Sequence, residues 1–170
     1  VAMLVGLVWG TVSVGAVFAP VGLAELKTAV DSCVGSGDGS ACATSSYGAI
    51  GEWDVSRVTS LKQLFRDKRS FNQDLSKWEV SKITTLYETF YNARAFNSDL
   101  SAWDVSKVTT LHGTFYKAQA FNSNLSAWNV SKVTTVERTV DYAEGSSTTL
   151  TLLKAVQQNG TIKPGPKQDR

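Results

Sequence analysis

The chain has 170 residues, 42% of them hydrophobic and 19% charged, enough for one ordinary domain with appendages and too few for two full ones. Its 17 basic and 15 acidic side chains leave a formal charge of +2, too balanced to indicate a nucleic-acid binder or a field that steers a charged substrate. No nucleic acid, small-molecule substrate or cofactor is expected.

Residues 1–24, VAMLVGLVWGTVSVGAVFAPVGLA, carry no charge. As a helix they would run about 36 Å, enough to cross a hydrocarbon core about 30 Å thick, and they read as an uncleaved transmembrane anchor. A secretory signal is the alternative, since Gly22-Leu23-Ala24 has the small-x-small form of a cleavage site. The segment's presence in the chain favours the anchor. Gly6 and Gly10 form a GxxxG spacing that lets another helix approach closely.

Residues 25–50 read as an N-terminal cap. LAELKTAVDSC has the pattern of an amphipathic helix, and Cys33 and Cys42 follow in DSCVGSGDGSAC, a glycine-rich loop flexible enough to join two sulfurs. A disulfide is expected, and with it an oxidising compartment. A structural zinc site is the competing reading, but two cysteines without a nearby histidine fall short of four ligands.

Residues 51–142 repeat. Trp53, Trp78, Trp103 and Trp128 stand 25 residues apart, and Phe71, Phe96 and Phe121 keep the same period, as do Phe65, Phe90 and Phe115. A fixed period of this length signals a solenoid whose units cannot bury their apolar faces alone. Within one unit, Leu100, Trp103, Val105 and Val108 predict a short strand with Trp103 and Val105 facing inward; Val108, Leu111 and Phe115 predict a helical turn. The expected fold is an α/β solenoid: a short leucine-rich-repeat-like array of about four 25-residue coils with helical caps, plus one N-terminal transmembrane helix. Residues 143–170 read as a C-terminal cap helix, with Leu150, Leu153 and Val156 apolar, and an extended tail.

FNQDLSKWEVSKITTLYETF from Phe71 and FNSDLSAWDVSKVTTLHGTF from Phe96 resemble the BspA-type leucine-rich repeat, also described as the mycoplasma surface-protein repeat. Leucine replaces the usual methionine at Leu61, Leu86 and Leu111, and valine at Val136. The resemblance implies a non-enzymatic module of bacterial and protist surface proteins, abundant in algal genomes. It implies no single partner.

The repeated residues offer little chemistry. The four tryptophans and Phe71, Phe96 and Phe121 read as structural core. Asp54, Glu79 and Asp104, with Asn129, form one column, and Arg57, Lys82, Lys107 and Lys132 form another three residues on. Mutual neutralisation is expected, because one acid per coil is poor for a calcium ion wanting six to eight oxygens. The hydroxyl pairs, such as Thr84-Thr85 and Thr109-Thr110, raise an ice-binding ladder, but they stand where helical turns begin, and Thr85 with Glu88 has the form of a capping box. His112, whose counterparts are Lys62, Tyr87 and Glu137, reads as an outward position. Sequons start at Asn124, Asn129 and Asn159.

The expected function is a single-pass membrane protein whose repeat domain lies on an oxidising face, lumenal, periplasmic or extracellular, and serves as a structural, protein-interaction subunit of a larger membrane complex. An accessory subunit of an algal photosystem in the thylakoid membrane is one version, for which a first residue of Val1 rather than Met fits an imported protein. A cell-surface adhesion protein is the alternative and an ice-binding protein the second. The expected contact residues are Tyr87, Tyr91 and Tyr116, with Ser101, Asp104 and Ser106 as outward strand residues. No catalytic or metal-ligating residue is expected, because a repeated position supplies the same group each time whereas active sites converge different ones.

Overall fold

A computed structural model describes residues 17–35 and 37–139. Residues 1–16, with Gly6 and Gly10, and residues 140–170, with the C-terminal cap, lie outside the described residues.

The described chain begins on the first repeat, not in a helix running through to residue 24. Pro20 has no N–H for a helical ladder. Phe18 instead accepts a hydrogen bond at its carbonyl from the Asp54 N–H (2.9 Å), and its ring stands edge-on to Tyr47 and Trp53 at 4.9 and 5.0 Å. The anchor boundary expected at residue 24 is therefore corrected: Val17 is 60% exposed, but Phe18 packs on Tyr47 and on Trp53 of the first repeat, and Pro20 is buried. Among the described residues no helix is long and apolar enough to cross a membrane.

Helix α1, Leu23–Cys33, occupies the stretch read as amphipathic. Its first turn carries Glu25, whose carboxylate accepts from the Val21 N–H at 2.9 Å. Leu26, Ala29, Val30 and Cys33 are its buried residues, the i, i+3, i+4, i+7 set of one helical face. Cys33 is bonded to Cys42 with Cα atoms 4.8 Å apart. The loop they close meets the first repeat: the Asp38 carbonyl accepts from the Asn72 N–H at 3.3 Å. Gly39 has φ +92°, and a Cβ there would stand 3.0 Å from the Phe71 ring. That position requires glycine for both reasons.

Each repeat then lies against the next in one register. The N–H groups of Leu61, Gln63, Phe65 and Asp67 donate to the carbonyls of Thr85, Tyr87, Thr89 and Tyr91 at 2.8–3.2 Å. The same four bonds recur from Leu86, Glu88, Phe90 and Asn92, and three of them again from Leu111, Gly113 and Phe115. In return, the N–H groups of Thr84, Thr109 and Thr134 donate to the carbonyls 25 residues earlier, and Ser60, Thr85, Thr110 and Thr135 form successive parallel bridges.

Two local expectations are corrected. No strand is assigned over Leu100–Val108: the Trp103 N–H donates to the Leu100 carbonyl and the Val108 N–H to the Val105 carbonyl, which are turns. Nor does an α-helix run from Val108 to Phe115. The stretch is a run of turns with i to i+3 bonds, such as Thr114 to Leu111 and Tyr116 to Gly113. The cause is a left-handed residue at a fixed place in each unit: Gln63, Glu88, Gly113 and Arg138 have φ of +50 to +60°, and Asp67, Asn92 and Lys117 near it have φ of +56 to +61°. An α-helix cannot pass through such positions. Turning the alternate N–H groups outward is what frees them to pair with the next repeat.

Phenylalanine rings dominate the interior. Phe65, Phe90 and Phe115 stack at 5.4 and 5.6 Å, Phe71, Phe96 and Phe121 at 5.9 Å, and the two columns interleave at 3.9–4.3 Å. The four repeat tryptophans are 3–5% exposed; Trp78, Trp103 and Trp128 tilt by 38–39° against the phenylalanines. Their indole N–H groups join repeats: Trp78, Trp103 and Trp128 donate to the carbonyls of Ile50, Leu75 and Leu100, each 28 residues earlier, at 2.8–3.0 Å.

Candidate functional site

With the interior and the inter-repeat bonds closed, the groups available to a partner are the outward columns. The first runs Lys62, Tyr87, His112, Glu137. The Lys62 ammonium stands 5.2 Å from the centre of the Tyr87 ring, Tyr87 and His112 stack at 5.0 Å and 10°, and His112 Nδ1 lies 3.5 Å from a Glu137 carboxylate oxygen. His112 is thus half-buried in a stack at the outward position read for it.

The second column runs Arg66, Tyr91, Tyr116. The Arg66 guanidinium covers the Tyr91 ring at 4.4 Å, and Tyr91 and Tyr116 stack at 4.8 Å and 22°. Lys117 and Arg138 lie 5.1 and 5.9 Å from the Tyr116 ring centre. Between the columns, the buried Glu88 carboxylate accepts from Gln63 Nε2 at 2.8 Å and pairs with Arg66. The capping box read for Thr85 and Glu88 is corrected accordingly: Thr85 Oγ1 accepts from the Tyr87 N–H instead. Glu88 has φ +50°, which is incompatible with the third position of a helix. Tyr91 and Tyr116 are thus brought together in one stack, while Tyr87 stands in the other column between Lys62 and His112. Sequence reasoning missed Arg66, Lys117 and Arg138 and gave Glu88 a capping role, although Gly113, Asn92 and Asp67, residues suited to left-handed backbone, were the available signal that this stretch is a run of turns.

Ser101, Asp104 and Ser106 lie elsewhere, in turns at the start of the third repeat. The Asp104 carboxylate accepts from the Ser106 N–H at 3.0 Å, and Ser101 donates in the same way to Asp99 at 2.9 Å. Asp54, Asp74 and Glu79 close identical turns on Ser56, Ser76 and Ser81. The serine hydroxyls of Ser56 and Ser106 chiefly, then their N–H groups, hold Asp54 and Asp104 below the usual carboxylate range; for Asp74, Glu79 and Asp99 the serine N–H leads. Asn124 and Asn129 make the same turns with Ser126 and Ser131. The acidic column is therefore first a turn-forming element, with Arg57 and Lys82 a lesser influence on Asp54.

Other groupings are poor in chemistry. Thr84, Thr109 and Thr134 Oγ1 each donate to the carbonyl one repeat back at 3.1–3.2 Å, which leaves an ordered exposed threonine column with its donors already engaged. A hollow of about 300 Å³ near the N-terminal cap is lined by Phe18, Tyr47 and Trp53, with Glu52 its one carboxylate. Among the described residues no group of three or more His, Cys, Asp or Glu is placed to hold a metal ion.

Comparison with known proteins adds one finding. The family model described as "Mycoplasma protein of unknown function, DUF285" matches residues 39–152, which takes in every described repeat. No curated protein matches, and no solved structure does.

Proposed function

We propose that this chain, which belongs to the DUF285 family of Mycoplasma proteins of unknown function, is a BspA-type, leucine-rich-repeat-like solenoid that binds other proteins at a cell surface and performs no catalysis. The observation that carries this reading is the division of labour within each 25-residue unit: apolar and backbone groups are satisfied by the neighbouring repeats, and what remains outward is a set of aligned tyrosines and charges. Tyr and Arg are enriched at protein interfaces. The Cys33–Cys42 bond is in keeping with an oxidising exterior. The family gives no support to a thylakoid or photosystem role, and none is proposed. Attachment of the repeats to a membrane by residues 1–24 rests on residues 1–16, outside the described residues.

Photo-crosslinking in the native cells tests the reading. A chain carrying the Tyr91→p-benzoylphenylalanine replacement is expected to form a discrete adduct with one or a few surface proteins. The absence of any adduct from Tyr87, Tyr91 and Tyr116 replaced in turn contradicts it.

A further inference from the structure

The near-neutral charge of the chain conceals a segregation. The turn runs 61–69, 86–94, 111–119 and 136–139 carry seven Lys or Arg against three Asp or Glu, a net of four positive charges. The stretches between them, 51–60, 70–85, 95–110 and 120–135, carry five against six. Because every repeat is stacked in register, this alternation along the chain becomes a division between two sides of the array, with the tyrosine columns on the basic side.

We infer that the basic, tyrosine-bearing face built from these turn runs docks an acidic segment of a partner protein. This rests on the protein-binding reading above and specifies the partner's chemistry. Four of the cations lie on ring faces, at Tyr87, Tyr91 and Tyr116; Arg66 is already paired with Glu88 and Asp67, whereas Lys62, Lys117 and Arg138 are held at the rings with part of their rotamer freedom lost, so a carboxylate arriving there meets ordered donors. Arg69 and Arg94 extend the face, and both are exposed. The rings also decide against single-stranded nucleic acid. Base binding needs open aromatic faces, whereas Tyr87 is enclosed between Lys62 and His112, and Tyr91 between Arg66 and Tyr116. A partner meets ring edges and charge, which suits carboxylates. The columns also repeat at 4.8–5.0 Å, close to the about 5–6 Å between side chains one turn apart on a helix, so an acidic helix laid along the array keeps successive carboxylates over successive repeats.

Fluorescence anisotropy of the full chain with a fluorescein-labelled oligo-glutamate peptide tests this. Binding is expected, weakening as salt rises, with no binding of the matched oligo-glutamine peptide. The double variant Lys62→Glu/Arg69→Glu reverses two exposed charges and removes the net positive charge of the face; it is expected to weaken binding about tenfold or more. Arg57→Glu/Lys82→Glu, on the other side, is expected to leave it within about twofold. Circular dichroism melts of both variants are expected to match the parent, and the glutamate-against-glutamine comparison on the parent chain decides the inference without them. Absence of binding, equal loss in both double variants, or tighter binding of oligo-dT of equal charge each overturns the inference. If the crosslinked adducts form while the peptide fails, the acidic partner is wrong and the protein-binding reading stands; if the adducts also fail, the reading beneath it falls.

Discussion

Replacing Trp103 by alanine probes the contact between the second and third repeats. Trp103 is 3% exposed, tilts over Phe90 at 6.2 Å and donates from its indole to the Leu75 carbonyl at 3.0 Å. Truncating a buried Trp to Ala costs about 3–5 kcal/mol through lost transfer energy and the cavity left behind. Losing the indole hydrogen bond adds about 1 kcal/mol, the Leu75 carbonyl keeping its bond from the Trp78 N–H at 3.1 Å. Trp103→Ala is therefore expected to lose about 4–6 kcal/mol. Trp103→Phe keeps most of the apolar area and loses the hydrogen bond, so about 1–3 kcal/mol is expected. Urea denaturation followed by far-ultraviolet circular dichroism measures both, with the order parent, Phe variant, Ala variant. Because a repeat array is held by nearest-neighbour terms, the Ala variant should also show a shallower slope as the array divides at that interface. A loss under about 1 kcal/mol for Trp103→Ala, or a Phe variant as damaged as the Ala variant, refutes the assignment of Trp103 as both core and inter-repeat tie.

Three further outcomes are expected. Gly113→Ala places a Cβ 3.1 Å from Glu88 Cγ at a φ of +60°, and should cost about 1–2 kcal/mol in denaturant titration; an unchanged midpoint contradicts the left-handed turn. Reducing Cys33–Cys42, separated by nine residues, should lower stability by about 2–3 kcal/mol on the chain-entropy estimate, read as a lower melting temperature in dithiothreitol. Acid should destabilise the array through the turn carboxylates. Asp54, Asp74, Glu79, Asp99 and Asp104 have folded-state pKa values lowered by their serine partners, so their contribution is complete above the ordinary carboxylate range of about 4 and is lost as pH falls through the lowered values. The melting temperature should hold between pH 7 and about 5 and fall below about 4. Asp104→Asn, which copies the Asn129 turn, should reduce that fall.

The period was legible because Trp, Phe, Leu and Val recur at invariant spacing, and burial of Trp53, Trp78, Trp103, Trp128, Phe71, Phe96 and Phe121 follows from their being the largest apolar groups in the unit. The path of the backbone within the unit was not. Val108, Leu111 and Phe115 keep helical spacing, yet turns of three residues with a left-handed residue among them bring the same side chains to the same inner face, and hydropathy spacing cannot separate the two. The discriminating residue was Gly113, aligned with Gln63, Glu88 and Arg138: a glycine admitted to an otherwise polar column marks a backbone conformation, not a helix surface. Thr85 and Glu88 misled because a capping box is a local pattern, whereas Glu88 is held by Gln63 and Arg66 of the preceding repeat. The candidate face was half legible. Tyr87, Tyr91 and Tyr116 stood out as unburied aromatics, but whole-chain charge hid the segregation that appears once the repeats are laid in register.

The claim on which all of this depends is the 24-residue offset of the inter-repeat hydrogen bonds. Scalar couplings across hydrogen bonds, measured by NMR on the isotopically labelled chain, read donor and acceptor directly. Couplings are expected from the amide nitrogens of Gln63, Glu88 and Gly113 to the carbonyl carbons of Tyr87, His112 and Glu137. Couplings instead to carbonyls four residues earlier in the same repeat, as in an α-helix, contradict the stacked arrangement.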